Sequence, residues 1–112
     1  MTDGSAFDAI VFGEREAGRW MAGSNGFVRT QSFNAPAEDE ATRRPTHIAI
    51  VYAADGAIAA YRNGAPYGRP YQTGEVATFP AGKAQVVFGL RHNPPGGNRM
   101  LAGAIHRAAL YD

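Results

Sequence analysis

Short apolar runs broken by glycine, proline and Asn-Gly or Asp-Gly pairs recur along the chain. That rhythm predicts strands rather than helices. No segment carries apolar residues at i, i+3, i+4 and i+7 over three turns. Residues 7–12 (FDAIVF) are apolar at nearly every position, which predicts a strand covered on both faces. Residues 20–23 and 27–31 flank Asn25-Gly26, a pair suited to a type I′ hairpin because both residues tolerate positive φ. Along 46–53 (THIAIVYA), Ile48, Ile50 and Tyr52 alternate with His47, Ala49 and Val51, so each set shares a face. Asp55-Gly56 then predicts a tight turn into 57–62 (AIAAYR), and Asn63-Gly64 a second turn into 65–68. Together these three strands make an antiparallel meander.

The remaining segments fit the same class. The polar stretch 36–44 (PAEDEATRR), closed by Pro45, predicts a loop or one short helical turn. Residues 84–90 (AQVVFGL) read as a further buried strand. The run 91–99 (RHNPPGGNR) is too rich in proline and glycine for regular structure. Residues 101–111 (LAGAIHRAALY) lack a clear helical stripe and are read as a strand. Seven or eight short strands predict an all-β, antiparallel β-sandwich over 7–112, preceded by a disordered tail at 1–6.

Composition narrows the classes. The 112 residues fit one domain, and 45% hydrophobic content supports a folded core. Eleven basic against ten acidic residues give a net charge of +1, which argues against nucleic acid as a partner. The absence of cysteine excludes disulfides, cysteine-zinc sites and thiol catalysis. No apolar run reaches the roughly 20 residues needed to span a bilayer. The start, MTDGSAFD, has no signal-peptide pattern.

The stretch THIAIVYAADGAIAAYRNGAPYG resembles the central signature of the concanavalin A-like lectin/glucanase superfamily, in its laminin G-like branch. There an H-x-A-x-x-Y strand, a D-G turn and a Y-x-N-G turn follow in this order. MLAGAIHRAALYD is similar to that family's closing strand, and RNGAPYGRPY, FGLRHNPPGGNRMLAG and FGEREAGRWMAGS resemble modules of large planctomycete multidomain proteins. The resemblance spans about residue 7 to the end. It implies a jelly roll, here compact or lacking its first strands, within a larger protein acting outside the cytoplasm. Missing strands would leave a sheet edge unpaired and open to homodimerisation.

Several groups were weighed for chemistry. Glucanases of the superfamily place paired carboxylates on one strand; Glu14 and Glu16 would share a face if their segment were extended. Glu38-Asp39-Glu40, beside Arg43 and Arg44, reads instead as solvated charges or local ion pairs. His47, His92 and His106 form no recognised metal-ligand spacing. Laminin G-like relatives often bind calcium, for which Asp55, Asn63, Asn93 and Asn98 are the oxygen donors, but Asp55 and Asn63 already have a reason in their turns. No catalytic residue, metal or cofactor is therefore expected.

A recognition surface remains. Sugar sites stack an aromatic ring on the pyranose, with planar polar groups around it. Trp20, with Tyr61 and Tyr67 near the hairpin, could supply the ring; Arg91, His92, Asn93, Asn98 and Arg99 could supply the polar groups. Trp20 reads equally as a core residue. The expectation is a non-catalytic, lectin-like accessory module binding a glycan or polysaccharide. The alternatives are a structural or protein–protein interaction module, contacting other domains of a parent protein, and a glycoside hydrolase relative.

Overall fold

The chain is described from a computed structural model over residues 6–90 and 100–111. Of the expected tail, 1–5 lie outside the described residues, while Ala6 is half-buried. The fold is all-β with antiparallel sheets, and among the described residues the one helical element is a single 3-10 turn at Asn25–Phe27.

The alternating apolar runs form two sheets. β1 (Asp8–Phe12) pairs with β2 (Trp20–Ser24), placing Ile10 opposite Ala22 and Phe12 opposite Trp20. In the second sheet β3 (Ile48–Tyr52) pairs with β4 (Ala57–Arg62). The other edge of β4 carries β5 (Ala65–Pro66) at its end and β6 (Tyr71–Gln72) at its start. β1 approaches β3, and β2 approaches β4.

Both hairpins of the second sheet form where the turn pairs stand. Gly56 takes φ 87° while Ala53 N–H donates to the Ala57 carbonyl at 2.9 Å. The Asp55 carboxylate accepts the Ala57 N–H at 3.0 Å. Asn63 and Gly64 both take positive φ, 52° and 83°, as a type I′ turn requires.

The core gathers Ala22 from β2, Ile58 and Ala60 from β4, and three residues outside regular strands: Phe33, Ala35 and Tyr67. Trp20, Ile50, Tyr52 and Tyr71 pack around them. Each large apolar side chain so buried stabilises the fold by ~1.5–3 kcal/mol. The irregular chain that delivers Phe33 is held by individual bonds. Arg69 N–H donates to the Phe33 carbonyl at 2.7 Å, and the Tyr71 hydroxyl donates to the Arg29 carbonyl at 2.8 Å. Tyr71→Phe should therefore lose ~1 kcal/mol in urea unfolding, with the tyrosine ring contact to Phe33 retained.

Several expectations are corrected. Asn25-Gly26 does not start a hairpin, and 27–31 is not a strand. Positive φ falls on Gly26 and Phe27 instead of Asn25 and Gly26. The Asn25 side chain accepts from Phe7 N–H and from Arg29, which also pairs with Asp8 at 2.8 Å, so the chain bends here. β1 is not covered on both faces, since Ile10 and Phe12 are 47% and 40% exposed. β5 stops at Pro66; Tyr67 N–H still reaches the Ala60 carbonyl at 2.8 Å, and Gly68 at φ 70° then turns the chain away. Residues 84–90 form a single bridge at Gln85 rather than a buried strand, and Val86 and Phe88 are exposed. Residues 101–111 join no ladder and are exposed throughout. The described residues thus hold six strands. Missing from the sequence reading was β6.

Candidate functional site

The residues that converge most tightly lie where the strap 35–41 crosses the ends of β2 and β4. Glu38 is central. Its N–H donates to the Gly18 carbonyl at 2.7 Å, and Arg19 Nε holds the Ala35 carbonyl at 2.8 Å, laying the strap along the entry to β2. The Glu38 side chain is only 2% exposed. Arg62, the last residue of β4, grips it in a bidentate pair, Nε to Oε2 at 2.7 Å and Nη2 to Oε1 at 2.9 Å. Oε2 also accepts the indole N–H of Trp20 at 3.1 Å. Oε1 accepts the N–H groups of Glu40 and Ala41, at 2.9 and 3.2 Å, and so caps the turn that follows. That turn closes by Arg43 and Arg44 N–H donating to the Glu40 carbonyl.

The charges continue outward. Arg62 Nη2 reaches Glu40 Oε2 at 2.8 Å, and Glu40 pairs in turn with exposed Arg44. The Arg62 guanidinium, helped by the Glu40 N–H and the Trp20 indole, pulls the Glu38 carboxyl down to about 2 against the desolvation that opposes it. Arg44 and then Arg62 likewise lower Glu40 to about 2. Both groups are carboxylates at neutral pH, and Glu38 has every oxygen occupied. A proton donor or a water-activating base needs a pKa nearer the working pH and an open side. This cluster has neither.

Trp20 stands between the cluster and the core. Its ring leans on Phe12, centroids 4.7 Å apart, and its backbone N–H donates to the Tyr67 hydroxyl at 3.2 Å. Tyr67 is buried and donates to the Pro36 carbonyl at 2.8 Å. Trp20 and Tyr67 are thus brought together, facing inward. Tyr61 is on the other side of β4, where it lies opposite Ala49 and Pro66 and is 36% exposed. By strand alternation it shares that face with Ala49, Val51, Ala57 and Ala59. No polar side chain other than its own hydroxyl is contributed to this face by β3 or β4. Arg91, His92, Asn93, Asn98 and Arg99 lie outside the described residues.

Compared with models of protein families, with curated proteins and with solved structures, the chain matches none. The site is therefore read from its own geometry.

The remaining candidates have local roles. Glu14 and Glu16 fall in the bend between β1 and β2, not on extended chain, so strand alternation does not align them; Glu16 accepts the Ser32 hydroxyl at 2.8 Å. Asn63 accepts the His47 N–H at 2.9 Å, and Asp55 caps Ala57. Among the described residues no three metal-ligating side chains converge, and no helix is long and apolar enough to cross a membrane. The Glu38–Arg62 pair escaped the sequence reading, which took residues 38–40 as solvated or locally paired. The available signal was a glutamate two and three residues before the N–H groups of a turn, an arrangement suited to capping.

Proposed function

We propose that the chain is a non-catalytic β-sandwich module of the concanavalin A-like, laminin G-like type, working through protein contact. The observation that carries this reading is the state of Trp20. Its indole N–H is held by Glu38, its ring rests on Phe12, and its backbone holds buried Tyr67. A stacking platform for a sugar needs a free ring face beside free planar donors; here the half-buried ring rests on Phe12 and its N–H is taken by Glu38, which supports contact over stacking. The outer face of β3 and β4, with Val51 and Tyr61 exposed among alanines, is suited to apolar contact. The approach of β1 to β3 and β2 to β4 is compatible with a sandwich.

Carbohydrate recognition is the second reading, and the half-buried Trp20 ring opposite exposed Phe12 favours it. Trp20 is the only tryptophan, so its fluorescence separates the two. The expected result is emission weakly quenched by acrylamide and unchanged across a panel of soluble polysaccharides. A blue shift and shielding produced by one glycan class would replace the protein-contact reading with a lectin-like one.

A further inference from the structure

We infer that two copies of this chain exchange their C-terminal segments, residues 101–111 of each pairing with the free edge of β3 in the other. The inference rests on the protein-contact reading above and adds the partner.

The edge comes first. Asn63 N–H donates to the His47 carbonyl, and Ala53 N–H to the Ala57 carbonyl. In an antiparallel ladder the intervening residues alternate, so Ala49 and Val51 also point their backbone groups at β4. Ile48, Ile50 and Tyr52 direct theirs outward, and among the described residues no strand pairs with that side of β3. Edges of monomeric sheets are normally blunted by lysine, proline, charge or a bulge. The run Ile-Ala-Ile-Val-Tyr has none of these.

The complementary strand is on the same chain. Residues 101–111 are exposed at every position, with Leu101, Ile105 and Leu110 in solvent. Ala108, Ala109 and Leu110 line an apolar pocket together with Val86 and Phe88. This segment joins no ladder, its Leu101 N–H donating to the Gly89 carbonyl at 3.0 Å, and its large apolar side chains match what an unprotected edge lacks.

Charge selects the occupant. Residues 1–82 carry seven arginines and nine carboxylates, net −2; residues 101–111 carry Arg107 as their one charged side chain, net +1. The basic segment is thus attracted to the acidic body that bears the edge. Every copy offers both, so the contact can be made twice about one two-fold axis, a closed assembly.

Sedimentation equilibrium of the full chain is expected to show a species of twice 11.9 kDa, weakening as salt is raised. Hydrogen exchange should find the outward amides of Ile48, Ile50 and Tyr52 protected. Ile105→Pro, at an exposed position outside every ladder, should weaken association about tenfold or more and expose those amides while leaving the circular dichroism of the body unchanged. Val51→Lys, on the partner strand, should weaken it as well. A monomer at all concentrations overturns the inference, as does a dimer untouched by both variants. A monomer leaves the Trp20 experiment unaffected, whereas a glycan that shields Trp20 would overturn the underlying reading whatever the mass.

Discussion

Gly68→Ala is expected to lower the unfolding free energy by about 3 kcal/mol or more. Gly68 has φ 70°, and a Cβ there would run into the Phe33 carbonyl oxygen and come within 3.0 Å of the Ala35 Cβ. The obstacle is backbone, fixed by the bond from Arg69 N–H to the same carbonyl. Relief would require withdrawing Phe33, a fully buried core ring, so the strain cannot relax cheaply. Gly64→Ala is the control. Its φ is 83°, but nothing lies within 4 Å of an added Cβ, so it isolates the conformational penalty of ~1 kcal/mol. Urea unfolding of both variants measures the difference. Equal losses would mean that the 32–36 segment does not lie against Gly68.

The same position shows what the sequence made legible and what it did not. The β3–β4–β5 meander could be read because its causes are local. Asp55-Gly56 and Asn63-Gly64 set their turns within four residues, and the alternation of Ile48, Ile50 and Tyr52 assigns the buried face. The class, antiparallel and all-β, followed from that spacing. Phe33 and Ala35 could not be read, because they enter the core from chain with no periodicity, through bonds to residues distant in sequence, Arg69 for Phe33 and Arg19 for Ala35. Asn25-Gly26 misled for a related reason: a side-chain carbonyl that captures Phe7 N–H and Arg29 competes with the hairpin. The apolar runs at 84–90 and 101–111 have strand composition without a ladder, since composition states a preference for pairing and not the partner.

For the candidate site the division is sharper. Trp20 was open between core and platform, and Glu38 decides it, by accepting the indole N–H. Nothing near Glu38 in sequence announces Arg62, 24 residues on. Tyr61 and Tyr67 are neighbours in the chain's aromatic cluster, yet one faces out and the other in. The turn at Asn63-Gly64 between them reverses the chain and brings Tyr67, just past β5, back beside Ala60, where its N–H reaches the Ala60 carbonyl at 2.8 Å and its ring joins the core.

Glu38 also makes the fold acid-sensitive in a defined window. Its carboxyl is held at about 2 in the folded chain against an ordinary value of 4.5, chiefly by Arg62. A depressed folded pKa means that the unfolded chain binds the proton first. The stabilisation is therefore complete above about pH 4.5 and is lost as pH falls towards about 2. Glu40 follows the same direction more weakly, because it is solvent-screened. Glu38→Gln should lose about 2–3 kcal/mol at neutral pH, since Arg62 and two turn N–H groups surrender a charged acceptor. It should also flatten the stability profile between pH 4.5 and 2. Chemical denaturation at a series of pH values tests both statements, with Trp20 emission as the probe because its indole N–H reports on the same carboxylate. A variant as stable as the parent at neutral pH, or one with an equally steep acid limb, would show that the strap is held by packing of Phe33 and Ala35 alone. The two results together decide whether the junction of β2, β4 and the strap is closed by charge. That bears on the proposed function, because releasing Glu38 would free the Trp20 indole N–H.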